Sequence, residues 1–463
     1  MPDVQHFDVA VIGGGSGLTA AYHAHQAGKR VALIEAQSHA LGGTCVNRGC
    51  IPTKALIQSA EVMKTIREAE TFGLSLDQSS VRVHFDRIMQ RMREQRADNA
   101  AGAKQWVDEA LTPFYSHARF IDDKLLETDD GQRITADKFF IASGARPGTP
   151  PIDGLEDVGY WTNEDVLELT TQPRRLVILG GGYIGAELGH FFATLGTEVT
   201  IVDSGQTLLS EDHEVNELFT QEFGRKVRLC MGSRAERAVR EGAGKGLGIT
   251  QGENGETTTV LADELLIAAG RKPNSDALAL DKTGVELDDK GWIRVDEMLR
   301  TSHPDIYAYG DIIGQAMFKH TSSYEGELAY RNSQGANEAV SYRANPHAVF
   351  SDPQVGAVGL TEYQCQQQGL RYKVAKKAYA DVAKGKIIGA PPGFAKLLVE
   401  EGSERILGFH MIGPQAADLV HEVAVAMNAG DGRTLGSAAL VRRTIHTHPT
   451  LSELVRGVFD ELG

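Results

Sequence analysis

The 463-residue sequence predicts an α/β fold: two doubly wound units, one inserted in the other, followed by a C-terminal α+β domain. Three observations carry this. A strand, glycine turn, helix, strand and acid occur in that order twice, at 9–35 and at 176–203. An apolar run ending in a glycine and then a proline closes each copy, at 141–147 and 267–273. Beyond about residue 345 the pattern changes to strands (355–358, 394–399, 406–412) followed by helices.

The first copy runs from an apolar strand at 9–12 into Gly13-Gly14-Gly15-Ser16-Gly17. A helix then reaches about Gly28, and a strand at 31–35 ends on Glu35. The second runs from 176–179 into Gly180-Gly181-Gly182-Tyr183-Ile184-Gly185, a helix to about Gly196, and a strand ending near Asp203. Both follow the Rossmann-like dinucleotide fingerprint. Glycines let the backbone approach a pyrophosphate at a helix N-terminus, and an acid about 20 residues on accepts ribose hydroxyls. One such glycine turn alone is weak; two complete units are strong. Leu18 stands at the third glycine position of the first copy, which predicts a small shift in helix–strand packing. After 267–273, the stretch Asp305-Ile306-Tyr307-Ala308-Tyr309-Gly310-Asp311 ends another strand in a glycine and an acid. The simplest topology makes 1–149 one unit, completed by 275–342, with 150–274 inserted and 343–463 as the last domain.

Between these landmarks lies Gly42-Gly43-Thr44-Cys45-Val46-Asn47-Arg48-Gly49-Cys50-Ile51-Pro52-Thr53-Lys54, followed by a predicted helix over 54–64. A helix start carries partial positive charge and favours a thiolate, so two cysteines five apart can cycle between dithiol and disulfide. A structural disulfide or half of a zinc site would be the bland alternatives. Only four cysteines occur, Cys230 and Cys365 stand alone, and zinc-ligand spacing is missing. No metal site is expected.

The net charge of −15 argues against a nucleic-acid or anionic-membrane partner. The basic stretch 87–96, with Glu94 inside it and its arginines at helical spacing, reads as a solvated helix face. The N-terminus lacks a basic region followed by an apolar stretch, and no run approaches the ~20 apolar residues of a membrane span. A cytoplasmic protein is the default expectation.

Taken in order, the two fingerprints, the 45–54 motif, Tyr309-Gly310-Asp311 and the terminal His448-Pro449-Thr450-Leu451-Ser452-Glu453 resemble the flavoprotein disulfide reductases with a redox-active cysteine pair. This family includes dihydrolipoyl dehydrogenase, glutathione reductase and mercuric reductase, and the resemblance covers essentially the whole chain. It implies FAD in the first unit, against Gly13, Gly15, Ser16, Glu35, Thr44, Lys54, Ser143, Gly144 and Asp311, with His320 in the segment along the flavin. It implies a nicotinamide nucleotide in the inserted unit, against Gly180, Gly182, Tyr183, Ile184, Gly185, Glu187, Asp203 and Gly270. Cys50 would be the thiolate facing flavin and Cys45 the thiol that meets substrate, with Lys54 and Glu187 paired beside the reactive flavin nitrogen. His448, oriented by Glu453, would be the proton carrier. In the family this pair reaches the other subunit's disulfide, so a homodimer joined by the C-terminal domain is implied. His320 is expected to play a structural role, His446 to serve packing or lie at the surface, and Cys230 and Cys365 to be ordinary thiols.

Asp203 favours a free 2′-hydroxyl, and the first arginine after Val202 is Arg225, so NAD is expected over NADP. With no cysteine after Cys365, the metal-ion and large thioredoxin reductases fit less well. The nearest branch is then dihydrolipoyl dehydrogenase, passing electrons from dihydrolipoyl groups through Cys45–Cys50 and FAD to NAD⁺. The Arg- and Met-rich stretch 85–106 suggests an unusual lipoyl protein as partner. The alternatives are an NAD(P)H-dependent reductase of another small disulfide or metal ion, and a catalytically silent FAD-binding scaffold.

Overall fold

The computed structural model describes residues 4–242, 244–252, 255 and 257–462, so Met1-Pro2-Asp3 of the N-terminal stretch lie outside the described residues. The first sheet has seven strands, ordered Thr112–Tyr115, Val31–Glu35, Val4–Ile12, Arg133–Ile141, Leu125–Thr128, Ala118–Asp122, with Ile306–Ala308 parallel to Arg133–Ile141. Its central strands are apolar and buried on both faces, as parallel strands covered by helices must be. Leu278, Leu280, Val285, Ile293 and Leu299 join that core, so the chain returns to this sheet after the insert.

The inserted unit holds a four-stranded parallel sheet, Arg228–Cys230, Glu198–Val202, Arg175–Leu179 and Glu264–Ile267, with an antiparallel meander of three strands beside it. The two glycine–proline elements pair with each other: Ala145–Pro147 runs antiparallel to Arg271–Pro273, where the chain leaves and re-enters the first unit. The last domain is a five-stranded antiparallel sheet, ordered Pro346–Val349, Val355–Gly359, Ile406–Ile412, Phe394–Glu400, Tyr372–Ala378, covered by the helices Ala416–Asn428 and Ser452–Asp460. The fold is thus two Rossmann-like domains, one inserted in the other, plus a C-terminal α+β domain. Among the described residues no helix is long and apolar enough to cross a membrane.

Two details differ from the sequence reading. The helix after the cysteine motif is Cys50–Glu68, four residues earlier than predicted, because Pro52 falls in the first turn where its missing N–H costs nothing. In the first fingerprint the helix opens at Gly17, four residues after Gly13, whereas the second opens at Tyr183, three after Gly180. Close packing therefore falls on Gly17, where a Cβ would meet Val11 Cγ1 at 2.8 Å, and Leu18 is tolerated. In the second copy a Cβ on Gly185 would lie 1.9 Å from the Gly180 carbonyl oxygen, so glycine is required there.

Candidate functional site

The acids that end the two fingerprints do the same work. Glu35 Oε2 accepts from Gly14 N at 2.7 Å, and Asp203 Oδ2 accepts from Gly181 N at 2.6 Å. Asp203 Oδ1 also accepts from Gly205 N at 2.7 Å, which fixes the carboxylate at the strand end. Gly13 and Gly180 share a positive φ of 109° and 110°, and a Cβ on either would lie 2.4 Å from a neighbouring carbonyl oxygen.

The residues present fit both dinucleotides. Ser143 Oγ is buried without a hydrogen-bond partner among the described residues, as expected of a group waiting for a ligand. Gly144, Gly182 and Gly270 face open space, with nothing within 4 Å of a built Cβ. Gly15 and Gly43 approach backbone to backbone, a Cβ on Gly43 falling 2.6 Å from Gly15 Cα, so the glycine turn and the cysteine loop form one cradle. Ser16 immediately precedes the helix that opens at Gly17, its side chain making no capping bond, and Thr44 follows Gly43 in the short helix Gly43–Asn47. Asp311 is half-buried; burial raises its pKa, and the Arg271 guanidinium at 3.7 Å opposes the rise.

Cys45 lies in that short helix and Cys50 opens the next, and both are free thiols. The two thiols are close neighbours. Their interaction is the largest cause lowering Cys50 from 9.0 to about 7, with Lys54 adding to it against burial. The same interaction, with burial, raises Cys45. The pair therefore releases its first proton at Cys50. Because the fold depresses this pKa, the thiolate and the stability it confers on the dithiol form are complete above pH 9 and lost as pH falls through 7. The thiolate-dependent step should accordingly rise with pH about a midpoint near 7. A rate of dithiol oxidation that stays flat between pH 6 and pH 8, roughly one unit either side, would refute the assignment.

Lys54 Nζ donates to both oxygens of Glu187, at 2.8 and 2.6 Å, across 133 residues of sequence. Glu187 is buried in the fingerprint helix Tyr183–Thr194 and also accepts from Phe350 N at 3.0 Å, while Lys54 lies over the Phe350 ring at 4.7 Å. The pair ties the dithiol helix to the inserted unit and the C-terminal domain. A second lysine, Lys319, was missed by sequence reasoning. It opens the helix Lys319–Ser333, bonds Ser323 Oγ at 2.7 Å, and lies within Coulomb range of both sulfurs. Its neighbour His320 bonds the Pro346 carbonyl at 2.7 Å, a structural role.

His448 Nδ1 and Glu453 Oε1 are 2.8 Å apart, and Thr450 N donates to Glu453 Oε2 at 3.0 Å. The imidazole, foremost, holds the Glu453 carboxyl below the usual range. His448 is 69% exposed, with Glu453 as its side-chain partner among the described residues, so the pair faces outward from its own chain. His446 is half-buried on Glu422 at 2.5 Å, lining a 630 Å³ cavity with Val425 and Ile445. The arginines of the Arg- and Met-rich stretch 85–106 are partly used within the chain: Arg93 donates to the Leu169 carbonyl at 2.8 Å and Arg96 to Glu168 at 2.6 Å. That stretch therefore gives no separate sign of a lipoyl protein.

Comparison with known proteins agrees with this geometry. The description "Pyridine nucleotide-disulphide oxidoreductase" matches residues 7–326, and the dimerisation domain of the same family matches 345–458. The chain belongs to the pyridine nucleotide-disulphide oxidoreductase family. Mycothione reductase of Mycobacterium tuberculosis is 36% identical over 98% of both chains. Dihydrolipoyl dehydrogenase of Chlamydia pneumoniae is 33% identical over 97% of this chain and 95% of its own. The solved structure of the HOCl-induced flavoprotein disulfide reductase RclA from Escherichia coli superposes with a TM-score of 0.85 at 27% identity, covering 98% and 100% of the chains. Membership in this oxidoreductase family brings FAD and NAD(P)H as cofactors, and its dimerisation domain supports a homodimer.

Proposed function

We propose that the protein is an NAD⁺-linked dihydrolipoyl dehydrogenase. The observation that carries the reading is the alignment of three groups: a Cys50 thiol depressed to about 7 at a helix start, Lys54 one turn on, and Glu187 on the helix that opens from the nucleotide turn. A bound flavin supplies the two-electron relay between dithiol and nicotinamide. This chain's residues do the rest. Cys45 exchanges with the substrate dithiol, Cys50 holds its proton loosely and faces the flavin, and Lys54–Glu187 fixes the charge balance beside it. His448, oriented by Glu453, carries the proton of exchange from a second copy of the chain. Asp203, locked by Gly181 and Gly205, suits an unphosphorylated ribose, and Arg225 is turned to Glu222 at 2.7 Å.

A second reading is reduction of a low-molecular-weight disulfide, which the 36% identity to mycothione reductase and the cation at Lys319 favour. Turnover of dihydrolipoamide with NAD⁺ is compared with NADH- and NADPH-driven reduction of mycothione and glutathione disulfide. The proposal expects kcat/KM at least about a hundredfold higher for the first pair. Strict NADPH dependence overturns the nucleotide assignment, and preference for mycothione selects the second reading.

A further inference from the structure

The lysine that sequence reasoning missed has a place of its own beside the dithiol. Lys319 is half-buried at the first position of its helix, and its Nζ donates to Ser323 Oγ at 2.7 Å. Its neighbours hold it there. Phe318 stacks on His320 at 5.5 Å and on His347 at 5.6 Å, and the His320 ring bonds the Pro346 carbonyl. No carboxylate among the described residues pairs with the Lys319 ammonium; the charges that act on it are the two sulfurs, Cys45 ahead of Cys50. A half-buried ammonium is costly to keep without an anion, so a thiolate is the partner this lysine lacks.

Lys54 is placed differently. It lies one turn past Cys50 on the same helix and is neutralised by Glu187. Lys319 favours the Cys45 thiolate more than Lys54 does, whereas Lys54 is the cation that favours the Cys50 thiolate. Two lysines from two helices, Cys50–Glu68 and Lys319–Ser333, thus divide the two sulfurs between them. We propose that Lys319 is the counter-charge of Cys45, as Lys54 is of Cys50, and stabilises Cys45 as a thiolate during exchange with substrate. This rests on the reading of the cysteine pair as the redox centre that meets a dithiol or disulfide.

Exchange needs a charge at that sulfur. One substrate thiolate attacks Cys45 Sγ in the Cys45–Cys50 disulfide, and Cys50 leaves with the electron pair. The second substrate thiolate attacks the substrate sulfur of the mixed disulfide, the S–S bond to Cys45 breaks, and Cys45 leaves as a thiolate. The substrate has then lost two electrons and closed as a disulfide, and the enzyme holds them as a dithiol. The two substrate protons pass through His448 of a second copy, one returning to Cys45 and one leaving to water. A thiol of lower pKa leaves faster. Cys50 and burial both push Cys45 up, which makes it the poorer leaving group of the two, and Lys319 opposes them. In the reverse direction the same thiolate is the nucleophile, and the same charge increases its population.

The test follows alkylation by iodoacetamide against pH in flavin-loaded protein, with Cys45 isolated by Cys50→Ser and Cys50 by Cys45→Ser. Lys319→Met and Lys319→Gln should each raise the Cys45 midpoint by about one pH unit and the Cys50 midpoint by less. Lys54→Met should do the reverse, and Lys319→Arg should restore Cys45. Ser323→Ala, which frees the ammonium from its anchor, should move Cys45 the same way by a smaller amount. With both cysteines present, NADH-driven reduction of lipoamide by Lys319→Met should fall about tenfold at neutral pH and recover as pH rises, while flavin reduction by NADH stays unchanged. Equal movement at the two cysteines, or none at Cys45, overturns the assignment, and the Lys319 variants decide it alone if Lys54→Met does not fold. A raised KM for glutathione disulfide with both midpoints unmoved would make Lys319 a substrate anchor and overturns it too. A protein that turns over no disulfide overturns the functional reading, while the alkylation midpoints still decide the role of Lys319.

Discussion

Cys50→Ser should cut dithiol-dependent turnover on the order of 10⁴-fold while leaving flavin content and fold intact. The chemistry needs a sulfur that forms and breaks an S–S bond with Cys45, and a hydroxyl can do neither. The loss is larger than a proton-transfer defect because the two-electron store itself disappears. The thiolate at about 7 also predicts a difference between the two cysteines. With the flavin still oxidised and no reductant added, Cys45→Ser should show the long-wavelength absorption that a thiolate beside the flavin produces, and Cys50→Ser should lack it. Equal spectra in the two variants would remove the division of roles. Retention of more than about a tenth of wild-type turnover in Cys50→Ser would remove the dithiol mechanism altogether.

Much of this site was legible because its parts are local in sequence. A glycine turn and its acid are joined by one strand–helix–strand unit, and the bonds from Gly14 to Glu35 and from Gly181 to Asp203 close within that unit. Lys54 and Glu187 are far apart, yet each is read from its own motif. What escaped lies between units. Phe350 N on Glu187, and Glu211 between Tyr183 and His347, have no short-range signature. Lys396 is the clearest case. A lysine in a strand normally marks a solvated face, but here it is fully buried against Asp212, Glu214 and Glu362 at 2.8, 2.8 and 2.6 Å. Only the docking of the inserted unit on the C-terminal sheet creates that environment. The two departures, a helix that starts at Cys50 instead of Lys54 and arginines of the basic stretch that are held within the chain, have the same origin. A pattern shows which residues could be exposed or helical, and packing decides which are.

His448→Gln should slow disulfide exchange by roughly 10² to 10³-fold while flavin reduction by NADH proceeds nearly as in wild type, because the imidazole serves only the sulfur side. Stopped-flow measurement of the two half-reactions separates these outcomes, and equal damage to both would withdraw the acid–base role. Where His448 acts is a sharper question. Its ring is 69% exposed and points away from its own chain, held by Glu453 at 2.8 Å, while the dimerisation domain that carries it supports a two-fold pair. If each imidazole serves the dithiol of the other subunit, two dead variants should repair one another. In a heterodimer of Cys50→Ser and His448→Gln subunits, one site combines both defects and the other combines neither. Random reassembly makes about half the dimers mixed, each with one working site of two, so activity should return to about a quarter of wild type. If His448 served its own dithiol, every site would keep one defect and the mixture would stay dead. Co-expression of the two variants with different affinity tags, followed by assay of the doubly tagged dimer, gives about half of wild-type activity in the first case and none in the second.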